Sequence, residues 1–552
     1  MIKEYLAQKI AKAIVQTEGW PTLSAEEIQL GRPKREVHGD LSTNVAMVLA
    51  KKVGQKPMAI AEILSQKLKL DRGLIRDTSI CAPGFINFVY GRRFLRDQLE
   101  QIHRQGRNFG KSDFGKGQKV QVEFVSANPT GPLNVVNARA AAVGDTIANL
   151  LQMVGYHVER EYYVCDTGIQ VKLLAESVEI RYRQLLGEAV LLPEDGYHGE
   201  YIIDLARELI EEKGFTYLSL PPAEAREKIR HEALHKLVAM QQEDLNRFGV
   251  EFDVWFSERS LKRSGALEEV LALLTEGGHI YEKDGAVWFR SSNFYDEEDR
   301  VLIKEDGETT YFLMDAAYHK NKFDRGFHLI IDLLGPDHHG YVPRIRSVVR
   351  ALGIRPSRLE VCIIQQVNLL RGGQPVKMSK RVGSMISMRE LVEEVGVDVA
   401  RFFFLMRRMD SHLDFDTDMA KEQSEENPVY YVQYAHARIA SILKYAKTQG
   451  VVLPPHEEVN FSLLKNREEL NLIKRIASLP EVVHGAAASL EPHRLTAYLR
   501  EVANAFHLFY HKHRVVTDNA QRTAARLALI EATQIVLRST LRIIGVSAPT
   551  SM

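Results

Sequence analysis

Lys377-Met378-Ser379-Lys380 places two ammonium groups around a Met-Ser turn, with Arg381 and Gly383 close behind. Cations on a glycine-containing loop suit a clamp that closes on a polyphosphate as negative charge builds up on it during reaction. Residue type alone equally allows a solvated basic loop, because charge runs are usually surface. Upstream, the stretch Val122-Glu123-Phe124-Val125-Ser126-Ala127-Asn128-Pro129-Thr130-Gly131-Pro132-Leu133 runs into Asn134-Val135-Val136-Asn137. The amides of Asn134 and Asn137 can donate to phosphate oxygens through their NH2 groups. Phosphate handling is the chemistry the two stretches share.

The elements that must position these residues follow from pattern. Val120, Val122, Phe124 and Val125 predict a buried strand. Asn128 to Pro132 is turn chemistry. The alanine-rich run 138–154 predicts a helix, with Ala141, Ile147, Leu150 and Leu151 as apolar positions. A strand, a tight turn and a helix N-terminus present free backbone N–H groups and a dipole to ligand phosphates, although an ordinary βα unit reads the same way. Further strands at 328–334 and 359–366, with helices between, predict a doubly wound parallel sheet whose ligand lies at the carboxyl ends of the strands. A short helix is expected at 388–395.

Longer blocks carry a resemblance. They are HGDLSTNVAM (His38 to Met47), APGFINF (Ala82 to Phe88), VEFVSANPTGPL (Val122 to Leu133), EDGYHGEYI (Glu194 to Ile202), DVWFSE (Asp253 to Glu258), AYHKNKFDRG (Ala317 to Gly326), PDHHGYVPR (Pro336 to Arg344) and ENPVYYVQYAHARI (Glu426 to Ile439). In this order they resemble the arginyl-tRNA synthetase family of class I aminoacyl-tRNA synthetases. The resemblance implies a Rossmann-like doubly wound parallel α/β catalytic domain, an α+β N-terminal domain and an all-α C-terminal anticodon-binding domain. Composition breaks fall near residues 112 and 395, with a helical insertion at about 191–264; the resemblance makes 1–112 an N-terminal tRNA-contacting domain and 113–395 the catalytic domain. A connecting helical segment follows at 396–425, and the anticodon-binding domain at 426–552. The implied reaction is ATP-dependent activation of arginine to arginyl-adenylate and transfer to the terminal adenosine of tRNA(Arg), with arginine activation requiring bound tRNA.

One motif departs from the family. Its first signature normally reads His-x-Gly-His, whereas this chain has Asn134, Val135, Val136 and Asn137. Asparagine cannot carry an imidazolium charge, and the swap costs about 1–2 kcal/mol of charge-assisted hydrogen bonding per position. The alternative reading is therefore a non-catalytic tRNA-binding or regulatory paralogue.

Carried over by resemblance, Lys377, Lys380, Asn134 and Asn137 are the catalytic candidates. Pro132, Leu133, Gly335, Asp337, His338, Met378 and Ser379 join them around ATP. Guanidinium recognition calls for carboxylates in fork geometry, and Glu123 and Asp315 supply them. The alternative for both is pairing with protein arginines. Tyr311 and Tyr318 would wall the aliphatic stem, while Ser126 and Asn128 would hold the α-amino end. Asp166, in Asp166-Thr167-Gly168-Ile169-Gln170, is a further arginine-binding candidate, although Cys165 and Ile169 stand where the family usually has asparagine. Asp337-His338-His339 looks like a metal motif, but adjacent histidines seldom ligate one ion. No protein-held metal is expected, and Mg2+ should arrive with ATP.

Lys plus Arg equals Asp plus Glu at 72 each, so RNA contact must use local patches rather than bulk charge. The tRNA-binding candidates are Tyr430, Tyr434 and Arg438 on one predicted helix, His511 and Arg514 at a later helix end, and Phe85 and Asn87 in the N-terminal domain. Aromatic stacking combined with phosphate contacts is how unpaired bases are held. Cys81, Cys165 and Cys362 form no CxxC pair and fit a reducing compartment. With no apolar signal core and no membrane-length span, the expectation is a cytoplasmic monomer.

Overall fold

A computed structural model describes residues 2–376 and 386–552. The expected clamp, Lys377, Met378, Ser379 and Lys380, lies outside the described residues. By internal packing the chain falls into two units. One comprises Met1–Phe109, Ile439–Ser478 and Asn504–Val536; the other comprises Gly110–Arg438, Leu479–Ala503 and Leu537–Met552.

The second unit is organised by five parallel strands: β1 (Lys119–Glu123), β2 (His157–Val164), β3 (Val254–Ser257), β4 (Leu329–Leu334) and β5 (Leu359–Ile363). Their spatial order is β5-β4-β1-β2-β3. The chain therefore steps outward from β1 through β2 to β3, then returns to the other side of β1. Such a reversal opens a crevice beyond the carboxyl ends of β1 and β4, where doubly wound sheets bind ligands. Val120, Gln121 and Val122 of β1 are fully buried, as a central parallel strand covered on both faces must be.

Helix α1 (Val135–Met153) follows β1 and begins before the expected Ala138. Asn134 is the reason. It is the N-cap, its Oδ1 accepts the Val136 and Asn137 N–H groups at 2.9 and 3.0 Å, and Asn137 Oδ1 accepts the Asn134 N–H at 3.0 Å. This reciprocal box satisfies donors that a helix start leaves open. Gly144 lets α1 approach the strand exit, since a Cβ there would lie 2.2 Å from Phe124 Cγ.

Three expectations are corrected. The strand read through Val125 ends at Glu123, and Val125 and Ser126 turn to φ +70° and +35°. Residues 191–264 are helical over Glu200–Lys213 and Pro222–Arg247, but their end supplies β3 to the central sheet. The segment after Gly396 is not wholly helical. Leu413–Asp416 forms a strand parallel to Val367–Arg371, with Leu413 and Phe415 buried, an alternation too short to stand out between helical runs. A three-stranded antiparallel sheet, Ile280–Lys283, Ala286–Phe289 and Arg300–Ile303, had no sequence expectation.

In the first unit, Leu30–Gly31, Leu41–Thr43, Phe85–Tyr90 and Ile75–Cys81 make an antiparallel sheet in that order. Helices Ile2–Val15, Val45–Val53 and Pro57–Lys67 pack their apolar residues with it in one core that includes Leu6, Ile10, Leu49, Leu64 and Phe88. The remainder of the unit is helical, including Arg467–Ala477. No helix among the described residues is long and apolar enough to cross a membrane.

Candidate active site

At the carboxyl ends of β1 and β4, the register sets Glu123 beside Asp332. Helix α2 (Tyr311–Asp324) is N-capped by Thr310 and runs over this end of the sheet. Its residues Asp315, Tyr318, His319 and Lys322 recur at helical i, i+3, i+4 and i+7 spacing, so they share one face. Glu123, Ser126, Asn128, Tyr311, Asp315, Tyr318, Gly335 and His338 all line a cavity of about 440 Å3 here, along with Glu258, His319 and Asp332.

The charges in this wall can be counted. Lys322 is fully buried, and its ammonium donates to Glu123 Oε2 and, at 2.7 Å, to Asp332 Oδ1. Burial alone would push Lys322 down, but Asp332, Glu123 and Glu161 hold it above the ordinary lysine range. His319 places Nε2 2.9 Å from Asp332 Oδ2 and Nδ1 2.7 Å from the Asp315 carbonyl. Both ring nitrogens thus face acceptors, which suits the imidazolium. Its pKa is raised, because the Asp332 hydrogen bond and charge outweigh burial. Burial would raise Asp332, yet Lys322 and His319 hold it well below the usual carboxylate range.

Two cations therefore offset Glu123 and Asp332. Asp315 and Glu258 are left facing the cavity. Glu258 accepts from the Cys165 thiol at 3.1 Å and from Thr167 Oγ1, with Lys262 at 3.5 Å. The thiol remains protonated and donating, since burial and Glu258 push it up to about 12. Asp315 has no ion pair among the described residues. Burial pushes it up to about 6, against the pull of Tyr341 and His319 and with a further push from Glu123 and Glu258. A desolvated carboxyl of this kind is poised to ionise when a cation arrives.

The turn after β1 is strained. Val125 is β-branched and sits at φ +70°, a conformation such residues rarely adopt. The strain is held by tertiary bonds. Ser126 Oγ donates to Glu123 Oε1 at 2.8 Å and accepts the Tyr163 N–H at 3.1 Å. Farther along, Gln241 Nε2 donates to the Gly131 carbonyl at 2.9 Å and Tyr201 Oη to the Thr130 carbonyl at 2.8 Å. Gln241 and Tyr201 come from the helical stretch between β2 and β3, which therefore buttresses the site.

Not every candidate falls here. Asp166 does not line the cavity. Its two carboxylate oxygens accept from Ser257 Oγ at 2.7 Å and the Arg259 N–H at 2.9 Å, so it ties the end of β3 to the next helix. Its neighbour Gln170 does line the cavity and accepts from Asn128 Nδ2 at 2.7 Å. Pro132, Leu133 and Asp337 lie outside the lining; the Leu133 carbonyl instead accepts the Met388 N–H at 2.8 Å. Asn134 and Asn137 use their oxygens for the helix cap, which leaves their NH2 groups as the atoms they can offer a phosphate. Tyr318 is buried, its hydroxyl donating to Glu161, so only its ring face can meet a ligand.

Among the RNA-contact candidates, Asn87 is 2% exposed on an internal strand and cannot reach a partner, whereas Phe85 is 37% exposed. Tyr430 and Tyr434 stack at 6.1 Å on helix Pro428–Thr448, and the Arg438 guanidinium lies 5.1 Å over Tyr434. His511 and Arg514 are exposed. Lys322, His319 and Glu258 were missed by sequence reasoning, although the spacing of Asp315, Tyr318, His319 and Lys322 is itself a readable signal.

Residues 98–420 match the family described as "tRNA synthetases class I (R), catalytic domain", and this match sets the class: a class I aminoacyl-tRNA synthetase. Residues 1–90 match "Arginyl tRNA synthetase N terminal domain", and residues 432–552 match "DALR anticodon binding domain". The arginine–tRNA ligase of Carboxydothermus hydrogenoformans is 47% identical over 559 residues, covering 100% of both chains. That of Syntrophotalea carbinolica is 50% identical over 526 residues, covering 95% of each. The chain belongs to the arginyl-tRNA synthetase family. The solved Thermus thermophilus arginyl-tRNA synthetase shares the fold, with a TM-score of 0.77 at 21% identity and full coverage of both chains.

Proposed function

We propose that this chain is an arginine–tRNA ligase whose arginine site is the cavity between β1, β4 and α2. The carrying observation is Asp315, a half-buried carboxyl that lines the cavity without an ion pair among the described residues. A guanidinium would supply the missing cation. In the first step the arginine carboxylate attacks the α-phosphorus of ATP, forming arginyl-adenylate and releasing pyrophosphate. In the second, a hydroxyl of the terminal tRNA adenosine takes the arginyl group and AMP leaves.

Glu123, Asp315 and Tyr311 recognise the side chain in this reading; Ser126 and Asn128 hold the α-amino end. Gly335 and His338 line the nucleotide side, with Pro132, Leu133 and Asp337 in the flanking loops. Mg2+ comes with ATP, mostly on phosphates and water. Lys377 and Lys380, with Met378 and Ser379 between them, answer the charge on the leaving pyrophosphate. The NH2 groups of Asn134 and Asn137 hold phosphate oxygens, so that catalysis is positioning and electrostatics. Phe85, Tyr430, Tyr434, Arg438, His511 and Arg514 contact tRNA(Arg). The enzyme acts as a cytoplasmic monomer, where its three free cysteines stay reduced. The non-catalytic alternative has no support in relatives that are themselves arginine–tRNA ligases.

Aminoacylation of tRNA by purified protein with arginine and ATP tests this reading. Lys380→Ala is expected to lower the rate about 100- to 1,000-fold, as loss of a transition-state charge partner does. Asn134→His/Asn137→His is expected to raise it. Absence of charging by the wild type, with charging appearing in the double histidine variant, would overturn the reading in favour of a silenced paralogue. Pyrophosphate exchange with arginine and ATP is expected only when tRNA is present. Equal exchange without tRNA would remove that requirement while leaving the ligase intact.

A further inference from the structure

A second group of ionisable side chains lies within the other unit, the one that contains the N-terminal residues. His103 stands near the end of helix Arg92–Gln105, His456 opens the short turn His456–Glu458, and Glu531 lies on helix Ala520–Ile543. One nitrogen or oxygen from each comes within 4.8 Å of the other two, the one such trio among the described residues.

The hydrogen bonding of the trio is incomplete. His103 Nε2 lies 3.0 Å from the Ala528 carbonyl. A carbonyl only accepts, so Nε2 carries the proton and Nδ1 is left with a lone pair. That Nδ1 and Glu531 Oε2 are both buried without a hydrogen-bond partner. Two such atoms close together on separate elements are unusual, since buried polar side-chain atoms are normally paired. His456 Nε2 and Glu531 Oε2 are 3.6 Å apart, too far for a hydrogen bond. Two ligands on one tetrahedral zinc are roughly 3.3 Å apart, given bonds of about 2.0–2.2 Å.

The chemistry of the set points the same way. Two imidazoles and a carboxylate are the donors that zinc and neighbouring divalent metals prefer. An imidazole that gives its second N–H to a backbone carbonyl is the usual outer arrangement of a metal-bound histidine. The two rings now stack at 3.7 Å and 17°, with Phe461 on the His103 side at 6.4 Å. His456 is half-exposed, with 34% of its side chain accessible.

We propose that His103 Nδ1, His456 Nε2 and Glu531 Oε2 bind one divalent transition-metal ion, zinc by preference, with water completing a tetrahedron. The ion fastens the helix that follows the N-terminal sheet to the turn and helix of the C-terminal segments in the same unit. It has no part in the ligase chemistry, and the inference does not depend on that reading.

The test is titration of chelator-stripped full-length protein with Co2+ and then Zn2+. One equivalent of Co2+ is expected to give the visible d–d spectrum of a tetrahedral N/O site, and Zn2+ to abolish that spectrum and raise the thermal midpoint. His456→Ala and Glu531→Gln, both at half-exposed positions, are each expected to lower Co2+ affinity at least about tenfold. Circular dichroism would verify that each variant remains folded. Failure of the wild type to take up stoichiometric Co2+, or uptake with spectrum and affinity unchanged in folded His456→Ala, would overturn the proposal.

Discussion

Lys322→Met is expected to destabilise the protein by about 3–5 kcal/mol near neutral pH, the usual cost of removing one partner from a buried ion pair. Lys322 is fully buried and bonded to Glu123 and Asp332, which are register neighbours on β1 and β4. Methionine keeps most of the side-chain volume, so the loss is mainly electrostatic. The sign of the pH dependence follows from the shifts. Asp332 is held low in the folded state, so its stabilising contribution is present above the unfolded aspartate range and is lost as pH falls through the folded value. Lys322 is held high, so its contribution persists until pH rises beyond the ordinary lysine range. The gap between wild type and variant should therefore be widest from about pH 5 to pH 10 and should narrow in acid, where the carboxylates protonate. Denaturant midpoints of the full chain across that range are the measurement. Adding Asp332→Asn to Lys322→Met removes the surplus charge and is expected to recover part of the loss. A deficit that is small, or that does not change with pH, would mean the four-charge cluster contributes little.

Much of the arrangement around this lysine was legible in the sequence, and the remainder shows where sequence reasoning stops. The buried parallel strands read from their apolar and β-branched residues: Val120 and Val122 marked the first despite Gln121 and Glu123, and 329–334 is apolar except for Asp332. The family blocks supplied order and domain content that periodicity could not. The helix at Asn134 was placed late because alanine richness signals helix propensity, whereas the start was set by two asparagines capping each other. The turn at Val125 and Ser126 left no local signal at all. A β-branched residue at positive φ runs against local propensity, and bonds such as those of Ser126 to Glu123 and Tyr163 hold it there. Asn87 and Asp166 were plausible polar candidates by type, but type does not reveal which way a side chain points. Asn87 faces inward and Asp166 caps a neighbouring helix. Glu123 pairs with a protein cation, a lysine rather than the arginine the alternative named, and still lines the cavity.

Asp315→Asn is expected to weaken arginine binding by about 2–5 kcal/mol at pH 7.5, at least roughly thirtyfold in Kd. Asparagine preserves shape, removes the charge and replaces one acceptor oxygen with an NH2 donor. In the free protein Asp315 is pushed up to about 6 by burial and by Glu123 and Glu258. A guanidinium binds the ionised form, so its arrival lowers this pKa and the carboxyl must lose its proton as arginine enters. Arginine affinity should therefore be nearly constant above pH 7 and fall about tenfold for each pH unit below 6. Asp315→Asn should flatten that profile, because no proton remains to be displaced. Citrulline supplies a second readout, since its ureido group has the outline of a guanidinium without the charge. The wild type should strongly prefer arginine over citrulline, and Asp315→Asn should compress that preference by loss of arginine binding rather than by general failure of the site. Calorimetric titrations of both amino acids from pH 5 to pH 8, in the presence of tRNA, make the comparison. A flat wild-type profile, or equal loss of both ligands in the variant, would show that Glu123 or Glu258 carries the guanidinium and that Asp315 is only part of the wall.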